Sequence, residues 1–428
     1  MFLQKLLIKI YEIIFRERVT PAIKIFFDNF QSLVFGYGIS AVLLLLFQVL
    51  AGRILGPEEY GKYALVDSIA TFLYLLMTLG ISMALVRYTA QTKDYLTSKK
   101  IISTSYLVVA VFLIIITVLF FVFAGPLSKT IKVSLTVFYL SIIFAVCYAL
   151  YMLATDTLRG LHKMKSLSLI RALFGFFVVL LLSLFLLKNS ISFITVILIA
   201  CFSYLAVFVL VLINIAKYLS FQIDKNWLKK VLEYGLYATG GSFLFFLLPP
   251  LSKLMINKFL TVSEVGIYNA YYFSSLNLMM FASTIFVAVF FPTASQYVSK
   301  VKILRIIRKS TLPLFVFGLV ALFLFELIVL KLFGKDYPTD YLLMFLFALA
   351  SILFFIYNVY NWLLYSKSLK EARLIMVFSL SMFLINILLN WYLIPRFSLM
   401  GAVTVLMLTY FFGWMYLLFI NKMLKNEQ

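Results

Sequence analysis

Residues 41–79 read AVLLLLFQVLAGRILGPEEYGKYALVDSIATFLYLLMTL. Two apolar runs flank a short polar turn at Gly56–Gly61, where glycine and proline precede a pair of glutamates. A helix needs about 20 apolar residues to cross the hydrocarbon core of a bilayer. The pattern therefore predicts two membrane-spanning helices joined by a tight loop.

The composition of the whole chain agrees with this pattern. The 428 residues are 64% hydrophobic and only 12% charged, and the mean hydropathy is +1.07. Soluble domains are close to half apolar and a quarter charged, so this chain cannot cover itself with polar surface in water. The same figures exclude disordered, collagen-like and disulfide-rich secreted proteins. We predict an all-α polytopic membrane protein.

Similar apolar runs recur along the chain and predict about twelve transmembrane helices, with connections too short to hold a soluble catalytic domain. The predicted spans are 33–54, 63–88, 101–124, 133–154, 167–187, 190–215, 233–257, 266–292, 312–333, 341–363, 371–393 and 398–420. They divide the chain into two six-helix bundles, at 33–215 and 216–428. Residues 1–32 precede them as an amphipathic helix on the membrane surface, for which we prefer a plain anchor to a regulatory role.

The charge follows the membrane topology. Lys and Arg number 37 against 16 Asp and Glu, a net charge of +21. With both termini placed in the cytoplasm, 27 of the 37 basic residues fall on the cytoplasmic side and 10 on the outside. This bias satisfies the positive-inside rule, so the charge does not indicate nucleic acid.

Cysteine and histidine give no sign of a metal or cofactor site. Cys147 and Cys201 lie in separate apolar runs, and His162 is the one histidine. No phosphate-binding loop, hydrolase or metalloprotease motif is present. We expect neither an enzyme nor a resident cofactor.

An internal repeat aligns Arg53–Gln91 with Lys258–Gln296 without a gap. The aligned pairs are Arg53 and Lys258, Leu55 and Leu260, Glu59 and Glu264, Gly61 and Gly266, Tyr63 and Tyr268, and Gln91 and Gln296. An even number of predicted helices separates the copies, so both have the same orientation in the membrane. This is a parallel repeat about an axis along the membrane normal, and it predicts a central cavity between the bundles with alternating access.

The stretch from Leu50 to Ile69, with LGISMALVRYTAQ at 79–91, resembles prokaryotic polysaccharide and oligosaccharide flippases. These form the polysaccharide-transport branch of the multidrug/oligosaccharidyl-lipid/polysaccharide exporter superfamily. The resemblance covers residues 33–92 and rests on Gly56–Gly61 and Leu85–Arg87. It implies two six-helix bundles around a V-shaped cavity, and export of a lipid-diphosphate-linked oligosaccharide from the inner to the outer leaflet.

Cationic residues near helix ends are the candidate substrate-binding groups, because arginine and lysine bind diphosphate well. On the cytoplasmic side these are Arg87, Arg159 and Arg171, near Asp156, and they predict an entrance with cationic walls. On the external side they are Arg53, Lys253 and Lys258. The alternative is that these side chains snorkel to lipid phosphates, and we favour it for Arg159 and Lys258.

Two carboxylates lie within predicted spans, and each is a candidate for a coupling proton or Na⁺. Asp67 is near the external end of its helix, where the alternative is a pair with Arg53 or Lys62. For Glu326 the alternatives are a pair with a neighbour or contact with water. Neither residue belongs to a recognisable ion site.

A third candidate feature is a hinge in the seventh span. Gly240–Gly241 precedes Pro249–Pro250, and such residues weaken a helix and leave carbonyls unpaired. We favour a moving gate over a static kink.

The leading hypothesis is thus a flippase that acts in the prokaryotic cytoplasmic membrane as a monomer. Its expected partners are a polyprenyl-diphosphate-linked glycan, membrane lipids, and a glycan polymerase or glycosyltransferases of the same pathway. The main alternative is a multidrug or cation antiporter of the same superfamily, which requires an acidic cavity. A membrane-embedded glycosyltransferase or polymerase requires an acidic dyad and a large soluble loop, and we find neither. The fourth hypothesis is a structural or scaffold membrane protein that has kept the fold but lost the transport activity.

Overall fold

The computed structural model describes residues 21–92, 94–187, 191–284, 300–365 and 369–426. Side chains are described within these ranges except at 21–34, 237–243, 300–314, 362–376 and 421–426. The ordered elements are α1 Pro21–Thr78, α2 Ile81–Gln91, α3 Tyr95–Val122, α4 Ala124–Thr130, α5 Leu135–Gly160, α6 Met164–Leu186, α7 Phe193–Ile215, α8 Lys225–Phe246, α9 Leu248–Phe259, α10 Val262–Ser274, α11 Lys300–Phe333, α12 Tyr341–Tyr365 and α13 Leu369–Asn426.

The described part of the chain is built of helices that are long and apolar enough to cross a bilayer. Eight helices meet that criterion, and two of them, Phe35–Thr78 and Val377–Ile420, have 44 residues each. Non-helical dihedrals interrupt both long helices, at Gly56 in α1 and at Ser398 in α13. The all-helical membrane fold is therefore confirmed, whereas the number of crossings and the side of the termini stay predictions.

Two of the segments predicted from the sequence extend beyond the described residues. Of the predicted surface helix at 1–32, residues 1–20 lie outside them, and from Pro21 onward the backbone already belongs to α1. The predicted span 266–292 also extends beyond residue 284. We keep the predicted ranges 33–215 and 216–428 as the first half and the second half.

The opening motif forms the turn that the sequence predicts. Gly56 has φ 67° and ψ 170°, in a region that L side chains rarely adopt, and Pro57 starts the second arm of α1. At the aligned position of the second half, Thr261 and Glu264 form a capping box at the start of α10. Glu59 lacks this role, because its Oε1 lies 2.6 Å from Lys62 Nζ and its Oε2 accepts from the Phe193 N–H at 3.5 Å.

The two arms of the repeat pack directly against each other. A Cβ added at Gly61 would overlap the Val262 carbonyl oxygen, and one added at Gly266 would overlap the Pro57 carbonyl oxygen. Val262 is the residue aligned with Pro57, so the contact is reciprocal. A reciprocal contact of this kind is what a two-fold axis between the halves requires. Glycine is needed at both positions because the backbones meet there.

A second pair of contacts repeats the reciprocity nearby. The Tyr337 hydroxyl donates to the Gly52 carbonyl oxygen at 2.8 Å. In the other direction, the Asn257 Nδ2 donates to the Lys132 carbonyl oxygen at 2.9 Å. The loop between α11 and α12 thus contacts α1, and the loop between α4 and α5 contacts α9. We call this end of the bundle, which holds Gly56 and Leu260, the outer end.

The opposite end, which holds Thr92 and Ser220, is the inner end. At this end, the segment 216–224 that connects the two halves packs on α3. The Tyr95 hydroxyl donates to the Lys217 carbonyl oxygen at 2.6 Å, and the Asp224 N–H donates to the Thr104 Oγ1 at 3.1 Å. Asp224 caps α8 by accepting the N–H groups of the residues that follow it. These bonds fix the start of the second half against the first.

Candidate functional site

The sequence-predicted site residues fall into three places: a polar group between the halves, the inner end and the outer end. The group between the halves contains Lys253 of α9 and Asp67 of α1. The Lys253 Nζ lies 3.7 Å from the Asp67 Oδ2, and the lysine side chain is 1% exposed. Lys253, and neither of the predicted alternatives Arg53 and Lys62, is thus the basic partner of Asp67 in the described part of the chain. Lys62 is held by Glu58 and Glu59 instead.

Aromatic rings hold the same ammonium group from the side of α10. The Lys253 Nζ lies 4.5 Å from the ring centre of Tyr272 and 5.9 Å from that of Phe273. Such contacts attract a cation through the ring quadrupole, more strongly where water is excluded. Lys253 on α9 is therefore held by two rings of α10 and by one carboxylate of the first half.

Several buried polar atoms beside this pair have no hydrogen-bond partner. They are the Ser252 hydroxyl, the Tyr268 hydroxyl and both polar atoms of the Asn269 amide, none of which makes a well-formed hydrogen bond. Ser252 and Tyr268 are polar neighbours of each other, and Asn269 is a polar neighbour of Tyr60. All three residues are 0% exposed. Buried polar groups are nearly always hydrogen-bonded, so unpartnered ones indicate a place for a ligand or water. We call Asp67, Ser252, Lys253, Tyr268 and Asn269 the inter-half cluster.

A satisfied network borders the cluster on the first half. The Tyr60 hydroxyl donates to the Gln48 Oε1 at 2.9 Å, and the Gln48 Nε2 donates to the Tyr63 hydroxyl at 3.1 Å. Tyr60 and Tyr63 also stack, with ring centres 5.9 Å apart. On this side of the interface the polar side chains hydrogen-bond to one another, whereas Ser252, Tyr268 and Asn269 of α9 and α10 make no well-formed hydrogen bond.

At the inner end, Arg87 of α2 crosses to the second half. Its guanidinium carbon lies 4.5 Å from the ring centre of Tyr234 on α8. The neighbouring Tyr88 contacts the rings of Trp227 at 5.5 Å and Tyr234 at 5.9 Å. Deeper in the bundle, Gly235 packs against the backbone at Leu79. The halves thus touch at the inner end as well as at the outer end.

Arg159 and Arg171 remain within the first half. Arg159 forms an ion pair with Asp156, which is 3% exposed. The guanidinium carbon of Arg171 lies 5.1 Å from the ring centre of Tyr37 and 5.4 Å from that of Tyr151. Its Nε is buried without a hydrogen-bond partner. Two predicted cations therefore occupy one neighbourhood, but with a carboxylate among them.

The helix of Arg159 meets the helix of Arg87. A Cβ added at Gly160, the last residue of α5, would lie 3.2 Å from the Val86 Cα. The packing of α2 on α5 thus brings together the helices of two of the three arginines predicted for the inner end. Whether substrate uses it stays a prediction.

At the outer end, Arg53 and Lys258 take different surroundings in spite of their aligned positions. Arg53 is exposed beside Gly334. The Lys258 Nζ lies 4.3 Å from the ring centre of Trp391, and the Lys258 carbonyl oxygen accepts from the Lys132 Nζ at 3.2 Å. Neither residue reaches the inter-half cluster through a described contact.

Glu326 is enclosed in the second half. It is 0% exposed, and neither carboxylate oxygen has a hydrogen-bond partner. Of the two alternatives, pairing with a neighbour is not found among the described residues, and contact with water stays a prediction. Among those same residues, no group of three or more His, Cys, Asp or Glu is placed to hold a metal ion.

The seventh predicted span is broken, as its glycine and proline residues suggest. α8 ends at Phe246 and α9 begins at Leu248, directly before Pro249–Pro250. The backbone at Gly240–Gly241 is helical, so the helix is interrupted next to the prolines and not at the glycines. Movement at this break stays a prediction.

Two aspartates outside the membrane-spanning helices have lowered pKa values. Hydrogen bonds from Thr97 lower the pKa of Asp94 at the start of α3, and the backbone N–H of Trp227 does the same for Asp224 at the start of α8. Both act as helix caps, which stabilises the charged form. The inner end thus carries anionic caps next to its cationic side chains.

Sequence reasoning missed most of the partners of these residues. Tyr272 and Tyr234 carried no signal, because each contacts a cation on another helix. Ser252 carried none because a serine next to a lysine is an ordinary pattern. The repeat was the one available signal, since it places α10 against α1. Once that contact is given, Lys253 and Asp67 lie on neighbouring faces.

Comparison with known proteins identifies both the family and the fold. A family model described as polysaccharide biosynthesis protein matches residues 26–298, more than half of the chain. This match confirms the resemblance seen at residues 33–92. A comparison with curated proteins finds no match.

Solved structures of MATE transporters share the fold. One, a MATE in complex with MaD5, has a TM-score of 0.65 at 13% identity, covering 94% of this chain and 97% of that chain. A multidrug resistance MATE family transporter of the MOP superfamily matches in its outward-facing conformation with a TM-score of 0.64 at 12% identity, over 92% and 95% of the two chains. Its inward-facing conformation gives 0.62 at 13% identity, over 91% and 95%. The similar scores do not distinguish the two states.

Proposed function

The chain belongs to the polysaccharide biosynthesis protein family, and we propose that it is a flippase for a lipid-diphosphate-linked oligosaccharide. In this proposal it moves the lipid from the inner to the outer leaflet by alternating access. The observation that carries the proposal is Lys253, a buried cation between the two halves of a membrane transporter of the MOP superfamily. A charge in that position is costly, so it indicates a functional role.

The chemistry of the candidate site supports an anionic, hydroxyl-rich substrate. Lys253 supplies a cation, and Ser252 and Asn269 supply unpartnered polar groups. Lysine binds phosphate as a point charge, and amide and hydroxyl groups pair with sugar hydroxyls. At the inner end, Arg87 is exposed and supplies a first cation for a lipid diphosphate arriving from the inner leaflet.

The second candidate function is a multidrug or cation antiporter. It is favoured by the half-buried carboxylate of Asp67 and the buried one of Glu326, which attract cations, and by the fold shared with multidrug transporters. Against it, Asp67 is neutralised by Lys253 and Asp156 by Arg159. A cationic drug needs a free carboxylate, and only Glu326 among these three meets that need.

The energy source in this proposal is a proton or Na⁺ that binds at Asp67 or Glu326. We place the protein in the prokaryotic cytoplasmic membrane, where it acts as a monomer. Its glycan is delivered by glycosyltransferases and received by a polymerase. None of these steps requires an enzyme activity or a resident cofactor of the chain itself.

The test is deletion of the gene followed by analysis of lipid-linked glycans. We expect one lipid-diphosphate-linked oligosaccharide to accumulate in the inner leaflet, and its export to return when the wild-type gene is restored. An unchanged glycan pool together with new sensitivity to cationic dyes would favour the antiporter and contradict the flippase.

A further inference from the structure

The ion pair between Asp67 and Lys253 joins the two halves in an incomplete way. Its N–O distance of 3.7 Å is longer than the 2.7–2.9 Å of a charge-assisted hydrogen bond. The lysine is almost fully buried, so it has also lost most of its water. The ammonium group therefore retains binding capacity for a better acceptor.

The surroundings of the pair are asymmetric. On the first half, Tyr60, Gln48 and Tyr63 satisfy one another. On the second half, Ser252, Tyr268 and Asn269 are buried without a well-formed hydrogen bond, although Ser252 neighbours the Tyr268 hydroxyl and Asn269 neighbours the Tyr60 hydroxyl. An incoming acceptor would find its donors on α9 and α10, on the same two helices that hold Lys253 and Tyr272.

We propose that the inter-half cluster is an exchange site, in which the diphosphate of the lipid carrier replaces the Asp67 carboxylate at Lys253. This inference rests on the proposed function and names the step at which substrate binding acts on the two halves. A diphosphate carries more negative charge than one carboxylate and has more acceptor oxygens. It therefore competes for Lys253 and satisfies the groups that Asp67 leaves unpartnered.

The exchange has a structural consequence. In the described chain two ion pairs cross between the halves: Asp67 with Lys253, and Lys100 with Asp224 at the inner end. In the first pair Lys253 is buried and Asp67 is half-buried, whereas Lys100 is exposed in the second. When the diphosphate takes Lys253, the first link between the halves is lost, and Asp67 becomes available to a proton or cation. Substrate binding and ion binding then alternate at one pair of residues.

Tyr272 has a positioning role in this scheme. Its ring lies 4.5 Å from the ammonium group and belongs to the second half, as Lys253 does. The ring therefore keeps the lysine in place after Asp67 is displaced. A Tyr272→Leu variant should weaken diphosphate binding less than Lys253→Met does, and Tyr272→Phe should restore it because the ring face is retained.

The experiment measures binding of farnesyl diphosphate to the purified full-length protein in detergent by titration calorimetry. Because Asp67 competes with the ligand, Asp67→Asn should bind farnesyl diphosphate about fivefold or more tightly than the wild type. Lys253→Met should bind it at least about tenfold more weakly. Farnesyl monophosphate and farnesol, in that order, should bind more weakly than the diphosphate to the wild type.

The matched control is Asp224→Asn, which removes the carboxylate of the exposed pair and should leave the affinity unchanged. Size-exclusion profiles of all variants verify folding, and Asp67→Asn keeps the shape of the side chain. Unchanged or weaker binding by a folded Asp67→Asn protein would overturn the exchange, as would unchanged binding by Lys253→Met.

The two proposals fail separately. If the wild type exports a lipid-linked glycan but Asp67→Asn gains no affinity, the flippase stands and the exchange falls. If the wild type neither exports such a glycan nor binds farnesyl diphosphate, both are wrong.

Discussion

The two ends of the bundle join the halves in different ways. At the outer end, Gly61 and Gly266 bring backbone against backbone, in a contact that is reciprocal between the halves. At the inner end, Arg87 and Tyr88 reach Tyr234 through long side chains. The contact of Gly61 and Gly266 has no side chain that can rearrange, whereas the contacts of Arg87 and Tyr88 can part through rotamer changes. The inner side also has one close backbone approach, of Gly235 to Leu79. We expect the outer contact to act as a pivot and the inner one to open and close.

The largest effect is expected at the pivot. Gly61→Val places a side chain against the Val262 carbonyl oxygen, and the halves must separate to admit it. We expect a loss of about 3 kcal/mol of stability and loss of export. Thermal unfolding of the purified protein and the amount of protein in the membrane measure the two effects.

Two further glycine variants refine that comparison. Gly266→Val should match Gly61→Val, because the contact is reciprocal. Gly38→Val is the control, since no atom lies within 4 Å of a Cβ added there. If Gly61→Val unfolds at the same temperature as Gly38→Val, the outer contact is not a close backbone contact.

The next largest effect concerns the ion pair of Asp67 with the buried Lys253, between the two ends. Lys253→Ala should abolish export while the protein remains in the membrane, although it leaves Asp67 without its partner. The double variant Asp67→Asn/Lys253→Met removes both charges and should recover stability without recovering export. Recovery of export in the double variant would mean that Lys253 serves the fold alone.

Substitution at the inner end should separate stability from transport. Arg87→Ala removes the contact with the Tyr234 ring, which is worth about 0.5–1 kcal/mol at an exposed site. We expect the unfolding temperature to change little and export to be lost. Arg87→Lys keeps the charge and serves as the control. Normal export by Arg87→Ala would remove this residue from the substrate path.

The smallest effect is expected at the cap of α8. Since the pKa of Asp224 is lowered in the folded protein, its charged form stabilises the fold above the pKa of the unfolded chain, and this contribution is lost as the pH falls through the lower, folded value. Asp224→Ala should cost about 1 kcal/mol at pH 7, the usual value of a cap. The difference between the variant and the wild type should shrink in acid. A constant difference would mean that the carboxylate is not what stabilises α8.

The sequence predicts the fold well because hydrophobic length and glycine placement are local signals. The turn at Gly56 and the alignment of Gly61 with Gly266 could both be read from the chain, whereas the contact of these two glycines was revealed by the structure. The partner of Asp67 could not be predicted, because Arg53, Lys62 and Lys253 are all cations at similar predicted depth. Only packing places Lys253 beside it and occupies Lys62 with glutamates.

The partners of the other cationic residues could not be predicted for a similar reason. Arg87, Arg171 and Lys253 all lie near helix ends, and hydropathy gives depth but not the direction in which a side chain points. The structure places Arg171 among rings of its own half and Arg87 against a ring of the other. Aromatic partners of this kind are distant in sequence, so no local sequence pattern predicts them.

The central claim is that this chain moves a lipid-diphosphate-linked oligosaccharide across the membrane. The most direct measurement reconstitutes the purified protein into liposomes with the lipid-linked glycan that accumulates in the deletion strain, and follows its appearance in the opposite leaflet. The account predicts transfer by the wild type and none by Asp67→Asn/Lys253→Met. Absence of transfer by an intact wild-type protein that instead exchanges a cationic dye for protons would contradict it.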